Sequence, residues 1–288
     1  MDASLLDVLP EGRPYKYRPL DFSRNEIGLL QLPPSGAVAK KRSIHDTFDA
    51  KLLHFSLDGG LEYEALSYRW VVNQDTEKIA IDGHQLEVSK TLISAIHEWQ
   101  SPKETKLVWV DAICIDQANN EERSEQVAKM RSIYSQAKLV VVWLGEGSET
   151  SSLAFSLVQE LHNHLNEPSY FEDSLSDMRK APQWECLIKL LRQEYWRRVW
   201  VIQEVNSARS LILRCGNNLL EWARLVEVQN QLLNDRYSFY RSWIDFRTGG
   251  PDVLRLPSSS ASGSPDLLEM LNFFRFHLAT DPRDKVCI

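Results

Sequence analysis

The stretch "KLVVVWLG" (138–145) is almost wholly apolar and rich in β-branched residues, the pattern of a strand covered on both faces. A strand of this kind needs helices above and below it, and the flanking sequence supplies them. Upstream lies "NNEERSEQVAKMRSIYSQA" (119–137), where Val127, Met130, Tyr134 and Ala137 follow helical spacing. Asn119 with Glu122 three residues on has the form of a capping box. Before it, "KLVWVDAICI" (106–115) reads as a second buried strand, and "YEALSYRW" (63–70) as a third. Between these, "IAIDGHQLEV" (79–88) reads as a hairpin turning at Asp82-Gly83, and "KTLISAIHEWQ" (90–100) as an amphipathic helix. Strands alternating with helices predict an α/β fold, a mostly parallel sheet flanked by helices.

Around this core the readings are coarser. "EIGLLQL" predicts a strand within an N-terminal extension, residues 1–60. Residues 151–204 read as helical insertions interrupted by "NEPSYFEDS", "LILRCG" (211–216) as another strand, and 219–247 as helical. One domain over 1–288 is expected, with its α/β core at 61–216 and a helical C-terminal part at 217–288. "PSSSASGSP" (257–265) reads as a loop of small residues. Asp281-Pro282 begins a helical pattern that stops within two turns, so the chain reads as a piece of something longer.

Charge and cysteine usage exclude several classes. The net charge is −7 and the one compact basic run is Lys40-Lys41-Arg42, so no nucleic-acid footprint is present. The N-terminal residues lack a basic segment followed by an apolar one, and no apolar run is long enough to span a bilayer. Cys114, Cys186, Cys215 and Cys287 are scattered, which predicts reduced thiols, a cytoplasmic setting and no zinc site. "HNH" (162–164) puts two histidines on opposite sides of a helix, a surface pattern. Phosphate-binding, dinucleotide-binding, nucleophile-elbow and zincin motifs are all missing.

In parallel sheets ligands bind where the strands' carboxyl ends gather. That rule selects Ser67, Tyr68, Arg69 and Trp70 after the first strand, Asp111 and Asp116 at the second, and Gly145 and Glu146 after the third. Another candidate comes from "YWRRVWVIQEV" (195–205), read as a helix, where Trp200 and Glu204 stand four apart on one face. An indole beside a carboxylate suits a planar, hydroxyl-bearing ligand. The alternative is an ordinary amphipathic helix whose glutamate pairs with Arg197 or Arg198.

Four segments, "YEALSYRW", "VWVDAICIDQANNEERSEQVAKMRSIYSQAKLVVVWLG", "YWRRVWVIQEV" and "ATDPRDKV", resemble the fungal HET (heterokaryon incompatibility) family in the order that family shows. Two positions depart from its pattern: Val71 replaces a glycine after the first strand, and Asp116 replaces an asparagine. The resemblance implies a role in fungal self/non-self recognition, as an effector domain that triggers cell death. It also implies a TIR-like (flavodoxin-like) fold, in which a Trp-x-x-x-Glu glutamate supports cleavage of NAD at the nicotinamide–ribose bond.

On that likeness Glu204 is the catalytic carboxylate, and Ser67, Tyr68, Arg69, Trp70, Asp111 and Trp200 bind substrate. NAD is then substrate, no cofactor or metal is needed, and self-association on activation and an incompatibility partner protein are expected. Because nicotinamide leaves NAD as a neutral group, one carboxylate facing the oxocarbenium-like transition state would suffice. The competing reading is a non-enzymatic module that kills by assembly or recruitment; a degenerate member lacking either activity is a third. The enzymatic reading needs the acid at an accessible rim; an acid buried against a guanidinium, or facing bulk solvent away from any cavity, would leave only the family resemblance.

Overall fold

A computed structural model of the chain describes residues 13–35, 49–70 and 75–232. Val71, Cys287, the 257–265 loop and the Asp281-Pro282 segment lie outside these residues. Nine strands are described: β1 (Glu26–Leu32), β2 (Asp49–Ser56), β3 (Glu64–Tyr68), β4 (Thr76–Ile81), β5 (His84–Ser89), β6 (Lys106–Trp109), β7 (Leu139–Trp143), β8 (Leu211–Cys215) and β9 (Asn218–Glu221). The α-helices among the described residues are α1 (Lys90–Trp99), α2 (Asp111–Cys114), α3 (Asn120–Gln136), α4 (Glu149–Asn163), α5 (Pro168–Ser176), α6 (Ala181–Leu191), α7 (Val201–Asn206) and α8 (Trp222–Leu232). They fall into two compact units: Met1–Tyr63 with Val72–Val127, and Glu64–Val71 with Ala128–Ile288.

The first unit holds the strand order β5-β4-β2-β1-β6. Its pairings are antiparallel apart from the short parallel contact of β2 with β4. The β4–β5 hairpin turns at Asp82-Gly83 as the sequence predicts, both residues taking positive φ (51° and 73°). Helix α1 starts where the Ser89 side chain accepts from the Leu92 amide (3.3 Å), and it buries Leu92, Ile93, Ala95, Ile96 and Trp99. The predicted strand 106–115 ends early, at Trp109. Asp111 accepts from the Ala112 amide (2.7 Å) and the Cys114 amide bonds the Val110 carbonyl (2.7 Å), so the chain coils into the single turn α2.

Helix α3 begins in the first unit and ends in the second. Asn119 caps it by accepting from the Glu121 and Glu122 amides (3.1 and 3.2 Å), but no reciprocal box forms. The buried Glu122 carboxylate accepts instead from the Asp116 amide (2.9 Å), tying the helix to the loop before it. Gln126, fully buried, donates to the Glu26 carbonyl (3.1 Å).

The second unit is the more parallel one, with β3, β7 and β8 side by side and parallel and β9 antiparallel at the edge. Val140, Val141, Val142 and Trp143 of β7 are all buried, which is what their unbroken apolar run requires. The Ser148 hydroxyl accepts from the Ser151 amide (3.2 Å) and the Ser151 hydroxyl takes the Ser148 amide (2.9 Å), capping α4, against which α6 and α8 pack. The α/β class holds. The expectation of a mostly parallel sheet is corrected to a mixed one: tight turns at Asp82-Gly83 and at Gly216 send β5 and β9 back along their neighbours, and β1 runs antiparallel to both β2 and β6. Residues 218–221 are likewise a strand where helix was expected. The "HNH" histidines lie at the surface as expected, His162 on Glu227 (3.0 Å) and His164 on Glu167 (3.2 Å).

Two observations generate predictions. Gly28 in β1 lies so close to α2 that a Cβ there would stand 2.5 Å from the Cys114 carbonyl oxygen. Gly28→Ala is expected to destabilise the chain by about 1–3 kcal/mol, read as a lower urea midpoint with unchanged slope. Burial pushes the Cys114 and Cys215 thiols up to about 12. Iodoacetamide at mildly alkaline pH should therefore leave both unmodified in the native chain and modify both in denaturant, as peptide mass spectrometry would show.

Candidate functional site

All of the site described here lies in the second unit. Strand β3 delivers Ser67 and Tyr68 at its carboxyl end, beside the carboxyl ends of β7 and β8. The predicted helix over 195–205 is broken in two. Glu194–Arg197 form a 3-10 turn, Arg198 is extended (φ −72°, ψ 133°), and α7 begins only at Val201. The break matters because it folds the Arg198 side chain back toward both Tyr68 and Glu204. Trp200 becomes the residue preceding α7, its carbonyl accepting from the Glu204 amide (3.1 Å), with its side chain half-buried.

Glu204 is 1% exposed and both of its carboxylate oxygens are engaged. The Ser67 hydroxyl donates to Oε2, and Arg198 Nη2 donates to Oε1 at 3.3 Å. The other arm of the guanidinium, Nη1, donates to the Tyr68 carbonyl at 2.6 Å. Since Ser67 spends its proton on Glu204, the hydroxyl of Tyr195, 2.5 Å away, donates to Ser67 Oγ. A relay of donors therefore runs from Tyr195 through Ser67 to Glu204. Burial, followed by the neighbouring Glu204 charge, raises the Tyr195 pKa, which keeps the phenol protonated as the relay requires.

Chemically this is a satisfied buried ion pair. Arg198 pairs with one carboxylate oxygen, the Ser67 hydroxyl donates to the other, and Tyr195 donates in turn to Ser67. Removing Arg198 would leave the carboxylate, 1% exposed, away from water without its counter-ion. In this conformation the carboxylate is closed to a ligand. Of the arrangements weighed for Glu204, the structure holds the pairing with Arg198, so in this conformation the acid is not the accessible carboxylate that the enzymatic reading needs.

The remaining sequence-selected residues divide. Ser67 and Glu204 touch; Tyr68 joins them through its backbone carbonyl while its ring is buried. Arg69 points outward into an ion pair with the exposed Glu194, and Trp70 is 45% exposed with its ring 6.4 Å from that of Tyr68. Asp111 belongs to the first unit, where its carboxylate caps its own turn and its carbonyl accepts from Gln117 (2.8 Å). Gly145 takes a left-handed φ of 116°, and its carbonyl accepts from the Gly216 amide (3.0 Å), joining the ends of β7 and β8. Tyr195 escaped the sequence reading. It precedes Glu204 by nine residues, a separation with no meaning on a continuous helix, and the broken backbone alone brings it into the cluster. Among the described residues no group of His, Cys, Asp or Glu is placed to hold a metal ion.

Comparisons with known proteins bear on the same segment. Residues 63–204 match the family model described as heterokaryon incompatibility protein (HET). The chain is similar to heterokaryon incompatibility protein 6, OR allele, of Neurospora crassa, 26% identical over 200 residues. That match covers 54% of this chain and 28% of the relative, so the chain spans well under half the length of the curated relative it matches. No solved structure matches. The matched segment starts at the residue before β3 and ends at Glu204, taking in the whole Ser67–Tyr195–Arg198–Glu204 cluster. Residues 63–204, just under half of the chain, thus match the heterokaryon incompatibility (HET) family that the sequence motifs resemble.

Proposed function

We propose that the chain contributes an effector domain to fungal self/non-self recognition, and that it rests in a closed state with Glu204 locked by Arg198. The observation that carries the closed state is the 1% exposure of a carboxylate with both oxygens engaged. The activity proposed for the opened state is cleavage of NAD at the nicotinamide–ribose bond. Support for it comes from the meeting of Ser67 and Glu204 at the carboxyl ends of parallel strands, where α/β sheets bind ligands, and from the TIR-like order of the motifs.

In that opened state Arg198 leaves Oε1, and the freed carboxylate faces the ribose as positive charge develops on it. Ser67, still supplied by Tyr195, holds the other oxygen and fixes the carboxylate's direction. Trp70, already exposed, provides a ring for stacking. Self-association is the event proposed to open the lock, so dilute chain is expected to be silent toward NAD.

A second reading is favoured by the same burial: Glu204 is a structural counter-ion, and the domain kills by recruiting partners without chemistry. Nicotinamide release by chain clustered through a fused oligomerising tag, measured beside Glu204→Gln, separates the two. Turnover lost in Glu204→Gln, with the circular dichroism spectrum retained and the variant still folded at the assay temperature, supports cleavage. Cell death on expression that survives Glu204→Gln, with cellular NAD unchanged, overturns it in favour of recruitment.

The lock itself yields a stability prediction under either reading. Arg198→Met leaves a buried carboxylate without its counter-ion and is expected to cost roughly 3–5 kcal/mol in urea unfolding. Adding Glu204→Gln to it should recover a substantial part of that loss, since the stranded charge is then gone.

A further inference from the structure

The first unit carries a cleft that the proposed chemistry does not use. The extended segment from Arg13 to Tyr17 is laced to β5: the Tyr15 amide donates to the Gln85 carbonyl (2.8 Å) and the Gln85 amide to the Arg13 carbonyl (2.9 Å). This segment carries Arg13, Lys16 and Arg18 along the wall of a cavity of about 740 Å³. The volume lies within the range of small-molecule sites, roughly 300–1,000 Å³.

Three cations line this cleft on a chain whose net charge is −7, and among the described residues none of the three forms an ion pair. The one acid on the lining, Asp82, is turned to the backbone: its Oδ2 accepts from the Leu52 amide at 3.4 Å. The same lining includes apolar and aromatic side chains. Leu53 lines the cleft, and the Tyr15 ring is steadied edge-on by Tyr17 (5.0 Å between centroids) and by His84 (6.5 Å). His84 is anchored in turn by Nδ1, which donates to the Asp82 carbonyl at 2.9 Å.

Cations that form no ion pair among the described residues, set along one extended segment beside an aromatic ring, match a small molecule that joins phosphates to a planar ring. We infer that this cleft binds a nucleoside di- or triphosphate, with Arg13, Lys16 and Arg18 on the phosphates and the ring over Tyr15 and Leu53. Arginine supplies paired donors to phosphate oxygens and lysine a point charge, so the recognition is of charge and shape. The site is independent of Glu204. Arg13, Lys16, Arg18, Leu53 and Tyr15 all precede the segment that matches the HET family.

Calorimetric titration of the whole chain with ATP, inorganic tripolyphosphate and adenosine tests the inference. ATP is expected to bind saturably, tripolyphosphate to compete with it, and adenosine to bind far more weakly. Arg13→Ala with Arg18→Ala should weaken ATP at least about tenfold, the effect of losing charged hydrogen bonds. Arg224→Ala, a charge removed from the second unit, should leave ATP affinity unchanged. Tyr15→Leu should weaken ATP more than tripolyphosphate. All four positions are at least partly exposed, so unchanged melting temperatures are expected to certify the variants. The inference is overturned by no saturable binding at millimolar ATP, by equal affinity in the wild type and the Arg13/Arg18 double variant, or by adenosine binding as tightly as ATP.

Discussion

The ion pair between Glu204 and Arg198 sets the terms for the second unit. A carboxylate taken out of water has to be matched in charge and in hydrogen bonds, and each match here comes from a different piece of chain. Ser67 comes from β3, Tyr195 from the 3-10 turn before α7, and Arg198 from the extended residue between that turn and the helix. Through Arg198 the pair also reaches the Tyr68 carbonyl, so the end of β3 and the start of α7 are held by one guanidinium. Disturbing any one member unbalances the others.

This arrangement links a structural device to the conditions for chemistry. A buried acid is costly unless paired, and a paired acid is unavailable to substrate. Under the closed-state proposal, the contact that stabilises the fold is also the contact that would have to open before Glu204 could meet a ligand. The two compact units divide the chemistry of the chain accordingly: a closed acidic centre in one and an open cationic cleft in the other.

Local pattern in the chain made much of the fold legible. The unbroken apolar run at 139–143 demanded a covered strand, Asp82-Gly83 demanded a tight hairpin turn, and the spacing of Val127, Met130, Tyr134 and Ala137 marked a helical face on which the last three are buried and Val127 is half-buried. Expectation failed where neighbouring atoms overrode local preference. Side-chain and backbone hydrogen bonds at Asp111 and Cys114 turned a predicted strand end into α2, and the hairpin return at Gly216 made a strand of residues 218–221.

The candidate site shows the same division. Sequence alone determined the residue types, the order of the motifs and, through them, the family; it also singled out Ser67 and Glu204, because strand ends and a tryptophan–glutamate spacing are local features. Only the tertiary structure decided that these two touch, that Tyr195 stands behind Ser67, that Asp111 belongs to another unit and that Arg198 closes the carboxylate. The reason is that periodicity records which face of an element a residue occupies, whereas the break at Arg198, set by contacts across 130 residues of chain, decides which faces meet.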